Sequence, residues 1–142
     1  MTSARLAINA YVQTEIDTAI PEADGHRLVS MLFEGALTAI ADARIKMLGG
    51  DIPGRGQAIS KAIAIIDEGL RASLDRKQGG EIAAQLEDLY RYICARLLHA
   101  NLRSDAKALD ESTNLLLELQ SGWKGIGGAK PPLKAVAQEA RV

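Results

Sequence analysis

Between Leu28 and Leu48 the apolar side chains Val29, Phe33, Ala36, Ile40, Ala43 and Met47 recur at steps of four and three, the spacing of one face of an α-helix. Leu32 and Leu37 widen that stripe, while Glu34, Asp42, Arg44 and Lys46 fall mostly outside it and can face water. The run Gly49-Gly50-Asp51-Ile52-Pro53-Gly54 then stops the helix and turns the chain. A second stripe, Ile59, Ile63, Ile66, Leu70 and Leu74, keeps the same spacing and ends before the polar, glycine-bearing stretch 75–80. A third helix is expected to begin near Glu81, whose carboxylate meets the positive end of the helix. Its stripe is Ile82, Leu86, Leu89, Ile93 and Leu97, with fraying expected near Asn101. Ser104 or Asp105 can cap a fourth helix. The buried line of that helix is Leu109, Ser112 or Thr113, Leu116, Leu119 and Trp123, and glycines at 122, 125, 127 and 128 are expected to end it.

Four amphipathic helices of similar length on short connections bury all their stripes at once in an antiparallel up-down-up-down bundle. The expected fold is therefore all-α, with the bundle over residues 25–124. Residues 1–24 carry Leu6, Ile8, Tyr11, Val12 and Ile16, enough apolar surface to dock as a capping segment. The tail 125–142 holds Pro131-Pro132 with several glycines and lysines and is expected to be largely disordered, although residues 133–141 have some helical propensity.

Composition sharpens this picture. Of the 142 residues 47% are apolar but only 4% aromatic, so the core is aliphatic, as suits packed helices. Seventeen basic and eighteen acidic side chains leave a net charge of −1, which removes the attraction a phosphate-tracking protein depends on; no nucleic-acid partner is expected. The lone Cys94 cannot form an internal disulfide, which fits a reducing compartment. No apolar run approaches the roughly 20 residues that cross a bilayer, and the N-terminus lacks a signal-like apolar core. The expected location is the cytoplasm, without membrane insertion.

Candidate chemistry is sparse. His26 and His99 stand alone, without a second ligand at metal spacing, so no metal is expected; His99 suits the last turn of its helix and His26 the surface. Cys94 reads as a small apolar side chain on helix three. Gly79-Gly80-Glu81 lacks the phosphate-loop pattern and follows a helix. Asp67, Glu68, Glu87 and Asp88 are scattered along helices and form no dyad. An enzyme is not expected, nor a cofactor.

What is left over is apolar surface. Helix two has a second line, Ala58, Ala62, Ile65 and Gly69, and helix three a flank of Ala83, Tyr90, Cys94 and Leu98. Together they could receive an amphipathic helix; alternatively the flank packs within the monomer.

Several of these segments resemble the flagellin-specific secretion chaperones, the FliS family, from about Tyr11 to Trp123. In order they are Thr18-Ala19, then His26-Arg27-Leu28-Val29 running into Met31-Leu32-Phe33-Glu34-Gly35-Ala36-Leu37, then Lys61-Ala62, Ile65-Ile66-Asp67-Glu68 and Ser73-Leu74-Asp75. Gly79-Gly80-Glu81-Ile82-Ala83 with Leu86, Leu89-Tyr90-Arg91-Tyr92-Ile93, Leu97, Ala100 and Asn101 follow, and Leu115-Leu116 and Trp123 close the series. Gly25 departs from the proline common in the family before the histidine, which loosens the expected turn into helix one. The extension after Trp123 lies outside the pattern and receives no role.

The resemblance implies a four-helix bundle that binds the disordered C-terminal segment of flagellin in the cytoplasm. It further implies that the bundle prevents premature polymerisation and presents its client to components of the flagellar type III export gate, with no cofactor. Client contacts are then expected at Ala62, Ile65, Ile82, Ala83, Leu86, Tyr90 and Leu97, several of which can equally be core. The N-terminal segment with Tyr11 is expected to cover part of the groove until the client arrives. Homodimer formation remains open, and a self-associating helical adaptor without an export client is the alternative.

Overall fold

Asp51, Asp75 and Asp105 each begin a helix by accepting hydrogen bonds from backbone N–H groups of the first turn, from Gly54, from Lys77 and Gln78, and from Lys107 and Ala108 respectively. Such caps satisfy donors that have no partner within the helix. They place the starts of three of the four helices in the computed structural model, which describes residues 22–126. The elements are α1 (Glu22–Leu48), α2 (Ile52–Ala64) with a π-wound continuation Ile65–Leu70, α3 (Arg76–Arg103) and α4 (Ala106–Ile126).

Short connections force consecutive helices to run antiparallel. α1 packs on α2 and α4, and α3 closes the ring against both. This is the expected all-α up-down bundle, and no strand occurs among the described residues. The N-terminal segment with Tyr11 and most of the tail lie outside those residues.

The core follows the expected stripes closely in α1 and α4. Phe33, Ile40, Leu109, Ser112, Leu116 and Leu119 are fully buried, and Ser112 satisfies its hydroxyl by donating to the Ala108 carbonyl at 2.9 Å. In α3 the buried line is Ala83, Leu86, Tyr90, Ile93, Leu97 and Ala100, a strict alternation of three and four. The expected line through Ile82 and Leu89 is turned by a fraction of a helical turn, and both side chains are half-buried.

Several local expectations are corrected. α1 begins at Glu22, so Gly25 lies inside the helix and no turn is made there. α3 begins with a capped turn at Arg76 and kinks at Gly80, whose φ of 50° suits a residue without a Cβ. It does not fray at Asn101 but runs to Arg103, where Ser104 closes it in the left-handed region and Asp105, rather than Ser104, caps α4. Gly122 and Gly125 do not end α4, which continues to Ile126. Packing against neighbours holds these turns despite the weak propensity of glycine.

The π segment lies where α2 crosses α1. A Cβ on Gly69 would sit 3.0 Å from Leu32 Cδ2, and one on Gly35 would sit 3.4 Å from Ile65 Cδ1. Gly69 therefore marks a tight approach to Leu32, whereas a Cβ on Gly35 would make only an ordinary contact with Ile65. The wider winding turns the adjacent pairs Ile65-Ile66 and Gly69-Leu70 inward together, and all four are buried.

Candidate functional site: the seam between α2 and α3

The α2 line expected to form a groove with α3 faces α1. Ile65 meets Gly35 and Gly69 meets Leu32, so these positions belong to the α1–α2 contact. The edge of α2 that meets α3 is one third of a turn away and carries Ile52, Gly56, Ile59 and Ile63. Gly56 lies beside Asn101, its Cβ position 3.8 Å from Asn101 Nδ2. The Cys94 thiol points at the Ile63 carbonyl, 3.9 Å away.

Of the residues proposed from sequence, Ala62, Ala83 and Leu97 are completely buried, Ile65, Leu86 and Tyr90 nearly so, and Ile82 is half-buried. Tyr11 lies outside the described residues. Burial pushes the Tyr90 phenol well above its ordinary range. Six of the seven are thus core residues, and Ile65 packs toward α1.

The accessible apolar surface of the seam is a different set. Ile63 and Cys94 are half-buried, while Leu98 is 52%, Leu102 73% and Ile52 63% exposed. On α3, Cys94, Leu98 and Leu102 follow one another at steps of four along the rim next to α2. Leu98 was visible in the sequence as part of the apolar flank. Leu102 was not, because its helix was expected to fray one residue earlier.

Polar clasps close the seam at both ends. At one end Arg55, on α2 and only 9% exposed, donates to Asn101 Oδ1 at 3.0 Å, to the Asn101 carbonyl at 2.8 Å and to Ser104 Oγ at 2.6 Å. At the other, Arg71 donates to Asp67 Oδ1 at 2.7 Å and to Glu87 Oε2 at 2.8 Å. The same Glu87 oxygen accepts from Arg76, and Arg91 lies 3.7 Å away.

Arg76 first, then Arg71, hold the Glu87 carboxyl below the usual carboxylate range, and Glu87 in turn raises Arg71. The folded value lies below the ordinary 4.5, so the contribution of Glu87 to stability is complete above that pH and is lost as the pH falls through the folded value. The thermal midpoint followed by circular dichroism is expected to drop on acidification below pH 4.5, and Glu87→Gln should drop less over the same interval. An equal acid response in the two chains would remove Glu87 from this account.

Nothing in the seam suits covalent or metal chemistry. Burial, with Asp67 adding to it, pushes the Cys94 thiol up to about 12, far from the depressed values of reactive thiolates. Among the described residues no group of three or more His, Cys, Asp or Glu is placed to hold a metal ion. What the seam offers is an apolar strip with a polar clasp at one end and an ionic cluster at the other.

His26 corrects a further expectation. It is not a free surface residue, since its ring stacks on Trp123 with centroids 4.6 Å apart and planes 9° from parallel. Trp123 Nε1 donates to the His26 carbonyl at 2.9 Å, and His26 Nε2 lies 2.8 Å from the Trp123 carbonyl, which requires the proton on Nε2. This reciprocal pair ties the start of α1 to the end of α4. The two residues are 97 positions apart, and no local spacing could have paired them.

The sequence matches the family described as flagellar protein FliS over residues 7–130. The chain belongs to the FliS family. Among its relatives, the flagellar secretion chaperone FliS of Salmonella typhimurium is 46% identical over 134 residues, 94% of this chain and 96% of the relative. The flagellar secretion chaperone FliSB of Pseudomonas aeruginosa is 46% identical over 123 residues, covering 87% and 97%. The FliS of Bacillus subtilis is 30% identical over 115 residues, 81% of each chain. FliS proteins are secretion chaperones and not enzymes. No helix among the described residues of this FliS-family chain is long and apolar enough to cross a membrane.

Proposed function

We propose that this FliS-family chain holds the disordered C-terminal segment of flagellin in the cytoplasm and delivers it to the flagellar type III export gate. The observation that carries this reading is the strip Ile52, Ile63, Cys94, Leu98 and Leu102, apolar and accessible along the α2–α3 seam. In the filament, flagellin's terminal segments bury apolar helix faces against neighbouring subunits. A chaperone that covers those faces first removes the assembly interface, so binding competes with polymerisation.

Ala83, Leu86, Tyr90 and Leu97 support the strip from the core side of α3, with Ile82 half-buried beside them, while Ala62 and Ile65 hold α2 in place and do not meet the client. The N-terminal segment with Tyr11 competes for the same surface. A disordered client loses conformational entropy when it orders on the seam, which lowers the affinity per unit area and allows release without nucleotide hydrolysis.

Leu98→Asp places a charge on the strip without entering the core. Against a peptide of flagellin's C-terminal segment, titration calorimetry should show binding weakened about tenfold or more, since an unpaired charge at an apolar contact costs about 1–3 kcal/mol and each 1.4 kcal/mol is a factor of ten. The helical circular dichroism should be unchanged. No binding by the unsubstituted chain would overturn the flagellin reading, and equal binding by Leu98→Asp would move the client off this seam.

A further inference from the structure

We propose that the connection from α2 into the first turn of α3, residues 71–80, is a hinged strap: Glu87 latches it shut over the end of the seam, and its Leu74 is a plug that an apolar side chain of the client replaces. The replacement rests on the function proposed above; the latch and the hinge do not.

Among the described residues, one carboxylate oxygen accepts from both arginines of the strap. Arg71, at the close of the π segment, donates to Glu87 Oε2 at 2.8 Å, and Arg76, in the first turn of α3, donates to the same oxygen. The two arginines stand on either side of residues 72–75, so a single side chain pins both ends. Glu87 is 18% exposed and Arg76 58%, which makes the carboxylate the fixed member and the strap the part that can leave.

The backbone hydrogen bonds of the strap are local. Ser73 N–H donates to the Gly69 carbonyl at 3.1 Å, Leu74 N–H to the Arg71 carbonyl at 3.2 Å and Gly79 N–H to the Asp75 carbonyl at 2.8 Å. Bonds of this kind move with the segment and do not hold it to the bundle. Gly80 supplies the hinge: its φ of 50° breaks the helical path inside α3, and a Cβ built on it would meet nothing within 4 Å. The bend is therefore set by a backbone conformation that glycine adopts at little cost and not by crowding around it.

Leu74 lies between the two arginines and is half-buried against the core. When the strap opens, the place it leaves is apolar and takes an aliphatic side chain by the same burial that seated the leucine. Glu87, Arg91, Cys94 and Leu98 follow one another on α3 at steps of four, three and four, so they share one side of the helix. A client lying on the exposed strip at Leu98 and Cys94 thus runs toward the plug.

Hydrogen exchange read by mass spectrometry would compare the unsubstituted chain with Glu87→Gln, Arg76→Ala and Arg76→Lys. Exchange across 71–80 should rise about three- to tenfold in Glu87→Gln, the scale of a network of partly exposed ion pairs, while the middles of α1 and α4 keep their rates. Arg76→Lys, which keeps the charge, should recover most of what Arg76→Ala loses. Leu74→Ala empties the plug site, so a peptide of flagellin's C-terminal segment should bind about three to ten times tighter, because apparent affinity falls with the fraction of sites already filled. Thermal melts check that each bundle is intact, and Arg76→Ala, which alters an exposed side chain, carries the latch test if Glu87→Gln fails to fold.

Unchanged exchange at 71–80 in the Glu87 and Arg76 variants, or a rise shared by all four helices, would overturn the latch. Unchanged or weaker peptide binding by Leu74→Ala would make that leucine an ordinary packing residue and overturn the plug. Faster exchange at 71–80 with no peptide binding by any chain would keep the latched strap and reject the client.

Discussion

Ile65→Asp is expected to lower the thermal midpoint by roughly 20 °C or more, or to abolish the cooperative helical transition. Ile65 is 5% exposed and packs against Gly35 of α1. Removing its branched side chain forfeits about 2–4 kcal/mol of burial and packing. A carboxylate left there without a partner adds several kcal/mol more, and it is too short to reach water. Together these approach the 5–15 kcal/mol that holds a domain of this size folded, and each kilocalorie lost moves the midpoint by several degrees. Leu98→Asp, the same change on the seam, should melt close to the unsubstituted chain. If Ile65→Asp kept the original melting curve, Ile65 would have to face open surface, and the orientation of α2 given above would be wrong.

Arg55→Ala should carry the second largest loss, about 3 kcal/mol, read as a shift in the urea midpoint at constant slope. Its guanidinium is buried and makes three hydrogen bonds, all to the last turn of α3 and the residue that closes it. That turn exposes carbonyls without helical partners and carries the negative end of the helix dipole, so a cation is favoured there. Hydrogen bonds to a charged group are worth about 1.5–3 kcal/mol, and the partners left behind lose theirs without gaining water easily. Arg55→Lys should recover only part of the loss, because an ammonium is a point donor and cannot reach an amide, a carbonyl and a hydroxyl in one plane. Hydrogen exchange should accelerate first at residues 100–103. A uniform change across all four helices would instead make Arg55 an ordinary packing residue.

The reach of local rules is visible helix by helix. The stripe in α1 from Phe33 to Ala43 and that in α4 from Leu109 to Leu119 were legible as periodicity and are buried as expected. Asp105 was legible as a cap. Where an apolar face was wide, periodicity left its orientation open. On α2 nearly every position from Ala58 to Leu70 is small or aliphatic apart from Ser60, Lys61, Asp67 and Glu68, so Ala62 with Ile65 and Gly56 with Ile63 were equally good candidates for the side facing α3. On α3 the lines through Ile82 and through Ala83 share Leu86, Ile93 and Leu97, and only the positions of α2 and α4 choose between them.

The sequence by itself determined that the bundle region folds as four helices, that the fourth is capped at Ser104 or Asp105, and which side chains supply the bulk of the core, because those properties depend on residues within a few positions of one another. Its ordered motifs also determined the family. The tertiary structure alone decided that Ile65 and Gly69 face α1, that Leu98 and Leu102 lie open beside α2, that Arg55 clasps the end of α3, and that His26 stacks on Trp123. Each of these depends on the rotation of a helix about its own axis. That angle is set by the joint packing of all four helices, and here in part by Gly69, which lets Leu32 of α1 come closer to α2 than a side chain would allow.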